Sequence, residues 1–268
     1  MTLKRKPSDI KILKENTLSS DELKLWIGEL FYGPDAMRFH FPCDVFDWWV
    51  AEVMENYKLA SSNQDRKLIL IKILHTKEVV DAGVDIKKRT GEFDWDPYMV
   101  GTVCLLHDVA RFKQALLGSY SDSKTNFNHA EVGANMIENM NFPEMEQMGI
   151  SKELVVEAVR NHSAMTYTGD DLYAKITRDA DKLALLRYMD YLLADTRWPE
   201  GKVNERVLES YRNGGMVKHK DMITKEDVMI AWLSWERDFN FEATREEFIE
   251  GGIKKGILEE LKLKGIVI

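Results

Sequence analysis

Four histidines, His75, His107, His129 and His162, fall on or beside segments of helical hydrophobic spacing in the middle of the chain. His107 and Asp108 are adjacent in the apolar stretch LLHDVARF, and Asp179 and Asp181 follow in RDADKL. The chain has six histidines in all, and the other two, His40 and His219, lie in loops. Taken singly, each group has an ordinary reading. A histidine on an apolar helix is more often a satisfied core residue than a ligand, and Asp179 with Asp181 would suit a solvated face. Taken together they ask for more, because each buried polar group needs a partner and unpaired buried charge is costly. A divalent metal is one partner that serves them all. Neutral imidazole and carboxylate oxygen suit Fe, Mn, Ni, Co or Zn.

Helices must carry these groups. Few prolines, many methionines and scarce alternating runs predict an all-α chain. Ser19 and Glu22 form a possible capping box ahead of Leu23, Trp26, Ile27 and Leu30. Residues 32–44 contain Gly33, Pro34 and Pro42 and read as a connecting loop. The segment holding His75 is predicted to be helical and to end at Gly83. One helix is predicted from Asp96–Pro97 through His107 and Asp108 into KQAL. A polar loop then leads to His129, which opens a helix. Ser151 caps a helix that ends near His162, and a long helix, 172–196, carries Arg178, Asp179, Asp181 and Lys182. Two tail helices are predicted, one from Thr224 and one with Ile249, Ile253, Ile257 and Leu261 at intervals of four. The expected organisation is a polar leader at 1–18, a helical core at 19–200 and a helical extension at 201–268 packed on that core.

The order His75, His107-Asp108, Asp181 resembles the HD-domain metal-dependent phosphohydrolase superfamily over about residues 65–195. LLHDVARF is similar to that family's LLHD[IV]GRF segment, and RDADKL to its ADKL segment. The segments HDVARFKQ, YSD, NHAEVG, AVRNHS and TRDADKL resemble a little-characterised bacterial subgroup, with Ser163 and Ala184 departing from its pattern. The resemblance implies a helical HD core with His75, His107, Asp108 and Asp181 as metal ligands. His129 and His162 resemble the extra ligands of six-ligand HD phosphodiesterases and HD-type diadenosine tetraphosphate hydrolases. That pattern implies two metals, with Asp108 as the bridge and His129 and His162 on the second ion. The alternative is one metal, with these two histidines binding a substrate phosphate.

The implied activity is hydrolysis at phosphorus by a metal-activated water. Arg111, Lys182 and Arg178 are candidate cations for the phosphoryl oxygens. Asp179 is a candidate proton acceptor or orienter of a ligand histidine. Lys113 and Gln114 could touch substrate, and Arg38 and His40 sit in an aromatic-rich loop of the kind that often carries function.

The net charge of −8 argues against binding long nucleic acid and favours a small phosphorylated substrate such as a nucleotide. Two cysteines, Cys43 and Cys104, make no disulfide framework, so a cytoplasmic location is expected. No apolar run approaches the length of a membrane span. Competing readings are a ligand-sensing HD module with a partner-binding helical tail and a dinuclear-iron oxygenase. The isoleucine stripe of the tail would suit internal docking or a homo-oligomer contact.

Overall fold

The computed structural model describes residues 18–33, 41–91, 96–187, 189 and 198–268. Most of the expected leader, Arg38, His40 and the end of the expected long helix lie outside the described residues. The described residues are helical, with no strand among them, as the composition predicts. No helix among them is long and apolar enough to cross a membrane. The chain divides into two compact units. The N-terminal one holds the described residues up to 163 together with 169–181, and the C-terminal one holds 164–168 and those from 182 onward. This division falls inside a helix, between Asp181 and Lys182.

The N-terminal unit begins with α1 (Ser20–Tyr32), started by the expected capping box. Ser19 N–H donates to Glu22 Oε2 at 2.7 Å, and Glu22 N–H donates to Ser19 Oγ at 3.3 Å. α2 (Cys43–Leu59) follows. Phe31, Trp49 and Phe112 form a continuous aromatic contact, with ring centroids 5.3 and 5.5 Å apart. Phe112 lies in the short α5 (Arg111–Ala115), so this contact anchors the segment just after the His107-Asp108 pair.

α3 (Asn63–Thr90) is the central helix and is buried round most of its circumference. It does not stop at Gly83 but runs on to Gly91, whose φ of 53° supplies the left-handed cap. Gly83 serves a different purpose. A Cβ there would lie 2.5 Å from Cys104 Sγ on α4 (Pro97–Leu106) and 3.8 Å from Ala180 Cβ on α10 (Leu172–Arg187). The glycine lets three helices approach closely, and that packing outweighs its poor helix propensity.

The single helix expected across His107 and Asp108 is two. α4 ends at Leu106, and turn bonds from Val109 N–H to Leu106 O (3.1 Å) and from Arg111 N–H to Asp108 O (2.9 Å) take the place of helical ones. α6 (Asp122–Thr125), α7 (His129–Glu138), α8 (Pro143–Gln147) and α9 (Lys152–Asn161) complete the unit with α10. Asn128 and Ser151 cap α7 and α9 through their side chains. Gly133 brings α7 against Val109, Ala110 and Val159, where an added Cβ would meet their side chains at 3.4 to 3.6 Å.

The C-terminal unit contains α11 (Glu205–Arg212), α12 (Lys225–Ser234), α13 (Glu242–Ile249) and α14 (Ile253–Leu263). α12 is its buried axis, capped by Thr224. Ile230 on that axis is fully buried, as are Phe248, Ile257 and Leu261 in the same core. The expected single tail helix is broken at residues 250–252, where Gly252 has φ 85°. Ile249 is therefore 42% exposed, while Ile257 and Leu261 are buried.

The close approach at Gly83 predicts the sign of a substitution. Alanine there gains about 1 kcal/mol of helix propensity, but the clash with Cys104 Sγ costs more. Gly83→Ala should lower stability by about 1–3 kcal/mol in urea denaturation. Adding Cys104→Ala should recover most of the loss, because it removes the colliding sulfur.

Candidate metal centre

Five helices of the N-terminal unit, or the turns at their ends, bring the six expected ligands together. His75 comes from the middle of α3, His107 and Asp108 from the turn after α4, and His129 from the first residue of α7. His162 caps the end of α9, and Asp181 lies on α10. His75, His107, Asp108, His129 and His162 are buried, and Asp181 is partly open to solvent with a side-chain exposure of 24%.

Asp108 is the meeting point. Its Oδ2 lies 3.8 Å from His75 Nε2 and 3.4 Å from His107 Nε2. Its Oδ1 lies 3.5 Å from His129 Nε2 and 3.4 Å from His162 Nε2. Asp181 Oδ1 is 2.9 Å from His75 Nε2. The groups His75–His107–Asp108 and Asp108–His129–His162 each gather their donor atoms within 4.8 Å.

Three of the imidazoles are held so that their lone pairs face inward. His107 Nδ1 and His162 Nδ1 each sit 2.7 Å from the carbonyl three residues earlier, of Cys104 and Val159. A carbonyl only accepts, so both Nδ1 atoms carry the proton and both Nε2 atoms keep a lone pair. The same bonds satisfy carbonyls left over at the ends of α4 and α9. His129 Nδ1 donates instead to Asp122 Oδ2, also at 2.7 Å. As a result the Nε2 atoms of His129 and His162 face each other at 3.2 Å.

Several of these inward atoms lack a hydrogen bond. His75 Nε2, His107 Nε2 and Asp108 Oδ1 are buried without one, and the 2.9 Å approach of Asp181 to His75 is not aligned as one. Converging imidazole lone pairs and a carboxylate oxygen without a hydrogen bond are a destabilising arrangement that a cation between them relieves. The donor set therefore fits a divalent transition metal.

Protonation agrees with that fit at His75, His129, Asp108 and Asp181, and opposes it at His107. Burial and the neighbouring Lys72 ammonium push His75 down to about 4. Burial likewise pushes His129 down to about 4, against the pull of Asp122. Both are neutral ligands near neutral pH. For Asp108, burial is outweighed by Lys72 and His107, which hold its carboxyl well below the usual range. Asp181 is held below it as well, because His75 and His107 outweigh its burial. Burial and Asp108 pull His107 in opposite directions, and the carboxylate prevails, raising it.

The other expected site residues have varied placements. Arg111 Nε is 3.4 Å from Asp108 Oδ1, while its Nη1 donates to Gln114 Oε1, Tyr120 O (2.7 Å) and Asp122 Oδ1 (2.9 Å). Arg111 is thus a brace between Asp108 and the loop before α6. Arg178 is buried, and its Nη1 donates to the carbonyls of Asn161 and His162 at 3.2 Å, tying down the end of α9. Lys182 is paired with Asp238 Oδ2 at 2.7 Å, within the C-terminal unit. Asp179 is fully buried, which removes the solvated-face reading. Gln114 is buried and donates to Asp122, Thr125 and Phe127, and Lys113 reaches Glu52 at 3.6 Å.

Two residues stand at the centre without having been singled out in the sequence. Lys72 pairs with Asp108 Oδ2 and lies 5.4 Å from the Tyr120 ring centroid. Its position three residues before His75 places both on one face of α3, which was the available signal. Asp122 orients His129 across seven residues of chain, and only its place in the YSD segment marked it.

Buried imidazoles and carboxylates from separate helices, with proton positions set by hydrogen bonds, define an all-α protein equipped to hold divalent metal. Residues 73–186 match the HD domain, which places this segment of the chain in the HD-domain superfamily. HD domains bind divalent metals and are generally hydrolases. No curated protein and no solved structure matches the chain.

Lys72 is the cation partner of a carboxylate only 4% exposed. Without metal, Lys72→Met should therefore cost about 3 kcal/mol, the usual effect of breaking one side of a buried pair. Chemical denaturation in chelator measures it, and saturating Mn2+ should shrink the difference.

Proposed function

We propose that this protein is a metal-dependent phosphohydrolase, cleaving a phosphoester or phosphoanhydride bond in a small phosphorylated substrate such as a nucleotide. One observation carries the reading: Asp108 turns one oxygen to His75 and His107 and the other to His129 and His162. A carboxylate divided in this way suits the bridge of a two-metal site, a recurrent arrangement for phosphoester cleavage. His75, His107 and Asp181 would hold one ion with Asp108, and His129 and His162 the other.

Bound there, Fe, Mn, Ni, Co or Zn would supply Lewis acidity toward phosphoryl oxygens and an acidified water as nucleophile. The chain's own residues do the rest. Hydrogen bonds from Nδ1 fix the rings of His107, His129 and His162 before any substrate arrives, so little reorganisation of these three remains at reaction. Arg111 and Lys72 balance the charge of Asp108 from within the centre. The net charge of −8 disfavours a long polyanion and is compatible with a small one.

The test is reconstitution. Protein stripped with chelator is reloaded with each metal and screened for phosphate release from nucleotides and for cleavage of p-nitrophenyl mono- and diesters. At least one metal should restore activity, and elemental analysis should give about two ions per chain, falling to about one in His129→Ala or His162→Ala. Activity that survives Asp108→Ala would sink the reading.

A further inference from the structure

The three histidines with a defined Nδ1 partner are not oriented alike. His107 and His162 donate to backbone carbonyls, which cannot be changed by substitution and carry no charge. His129 donates to a side-chain carboxylate, Asp122. The centre is also uneven in its acids. The His75–His107 side has Asp181 in addition to Asp108, whereas the His129–His162 side shares Asp108 and, among the described residues, has no carboxylate of its own at the donor atoms. Asp122 supplies negative charge to that side from behind an imidazole ring.

We propose that Asp122 is the positioning residue that makes the His129–His162 side able to bind metal, by holding the His129 proton on Nδ1. The inference rests on the two-metal reading above.

The surroundings of Asp122 give this claim a sharp consequence. Its Oδ1 receives Arg111 Nη1 at 2.9 Å and Gln114 Nε2 at 3.0 Å. The Gln114 amide is fixed in turn, because its Oε1 accepts from Arg111 and its Nε2 also donates to Thr125 Oγ1 at 2.9 Å. Arg111 can only donate. In the Asp122→Asn variant the amide oxygen must therefore turn toward Arg111 and Gln114, which leaves the NH2 group facing His129 Nδ1. That NH2 donates, so Nδ1 must become the acceptor and the proton moves to Nε2. Nε2–H then points at Asp108 and His162, where a metal needs a lone pair. The Asp122→Ala variant removes the hydrogen bond but imposes no tautomer.

The two variants separate proton placement from simple structural support. Asp122→Asn keeps the bonds to Arg111 and Gln114 and so preserves the loop better than Asp122→Ala. If Asp122 only supports the loop, Asp122→Ala is the more damaging change. If it places the proton, Asp122→Asn is.

The experiment uses the full chain and Mn2+ as the probe, with binding followed by elemental analysis after equilibrium dialysis. The wild type should take up about two Mn2+. Asp122→Ala should weaken the second site about tenfold and Asp122→Asn about 100-fold or more, the range by which orienting partners affect metal affinity. The first site should be retained in both. Long-range proton–nitrogen correlation spectra of the metal-free proteins read the tautomer directly: Nδ1–H at His129 in the wild type and Nε2–H in Asp122→Asn. A second site in Asp122→Asn as strong as in Asp122→Ala, or an unchanged tautomer, overturns the proposal. A wild-type chain that shows Nδ1–H at His129 yet binds a single Mn2+ overturns the two-metal reading, and this inference with it.

Discussion

A buried carboxylate surrounded by four imidazoles is the constraint on which the N-terminal unit depends. Asp108 is 4% exposed, and its oxygens face His75, His107, His129 and His162 at 3.4 to 3.8 Å. A charge in that position is tolerated only if cations reach it. Lys72 and Arg111 do so from α3 and α5. The candidate ligands come from five different helices or the turns at their ends, so the helices must pack close enough for short side chains to meet. The missing Cβ atoms at Gly83 and Gly133 permit that approach, and the break after Leu106 places the His107-Asp108 pair at a helix end.

The C-terminal unit shows how the same molecule treats buried charge with no such centre. Asp227 is fully buried, yet its oxygens accept backbone N–H groups from Asn204, Ile223 and Thr224 at 2.8 to 3.0 Å. Arg187 and Glu247 form a two-point pair at 2.8 and 3.1 Å. These groups are satisfied within the fold. Asp108 Oδ1, His75 Nε2 and His107 Nε2 are not, although they are equally enclosed. Asp227 is a carboxylate that the fold satisfies at both oxygens, and Asp108 is one whose Oδ1 it does not.

Hydrogen bonding at helix ends links fold to chemistry. The carbonyls of Cys104 and Val159 would be left over where α4 and α9 stop, and the Nδ1–H groups of His107 and His162 satisfy them. One interaction both finishes a helix and sets a tautomer. His129 opens α7 and has no carbonyl three residues earlier in that role, so the Asp122 carboxylate takes the part. The Arg111–Gln114–Asp122 network exists around that change of partner.

The amino-acid sequence by itself determined the helical class and the caps at Ser19, Ser151 and Thr224, and it singled out the four histidines, Asp108 and Asp181 that the fold brings close together, though not Asp122. Those features are local: a cap is satisfied within four residues, and the polar groups stood out because their neighbours are apolar. Only the tertiary structure decided how Gly83 is used, where the helix through His107 breaks, and how the isoleucine stripe of the tail divides. It also decided the work of the charged side chains. Arg178, Lys182 and Lys72 are alike as lysine or arginine on a helix. Yet one ties down the end of α9, one pairs with Asp238, and one meets Asp108. A long cationic side chain takes its role from whichever acceptor lies within its reach, and that is set by helices distant in sequence and adjacent only after folding.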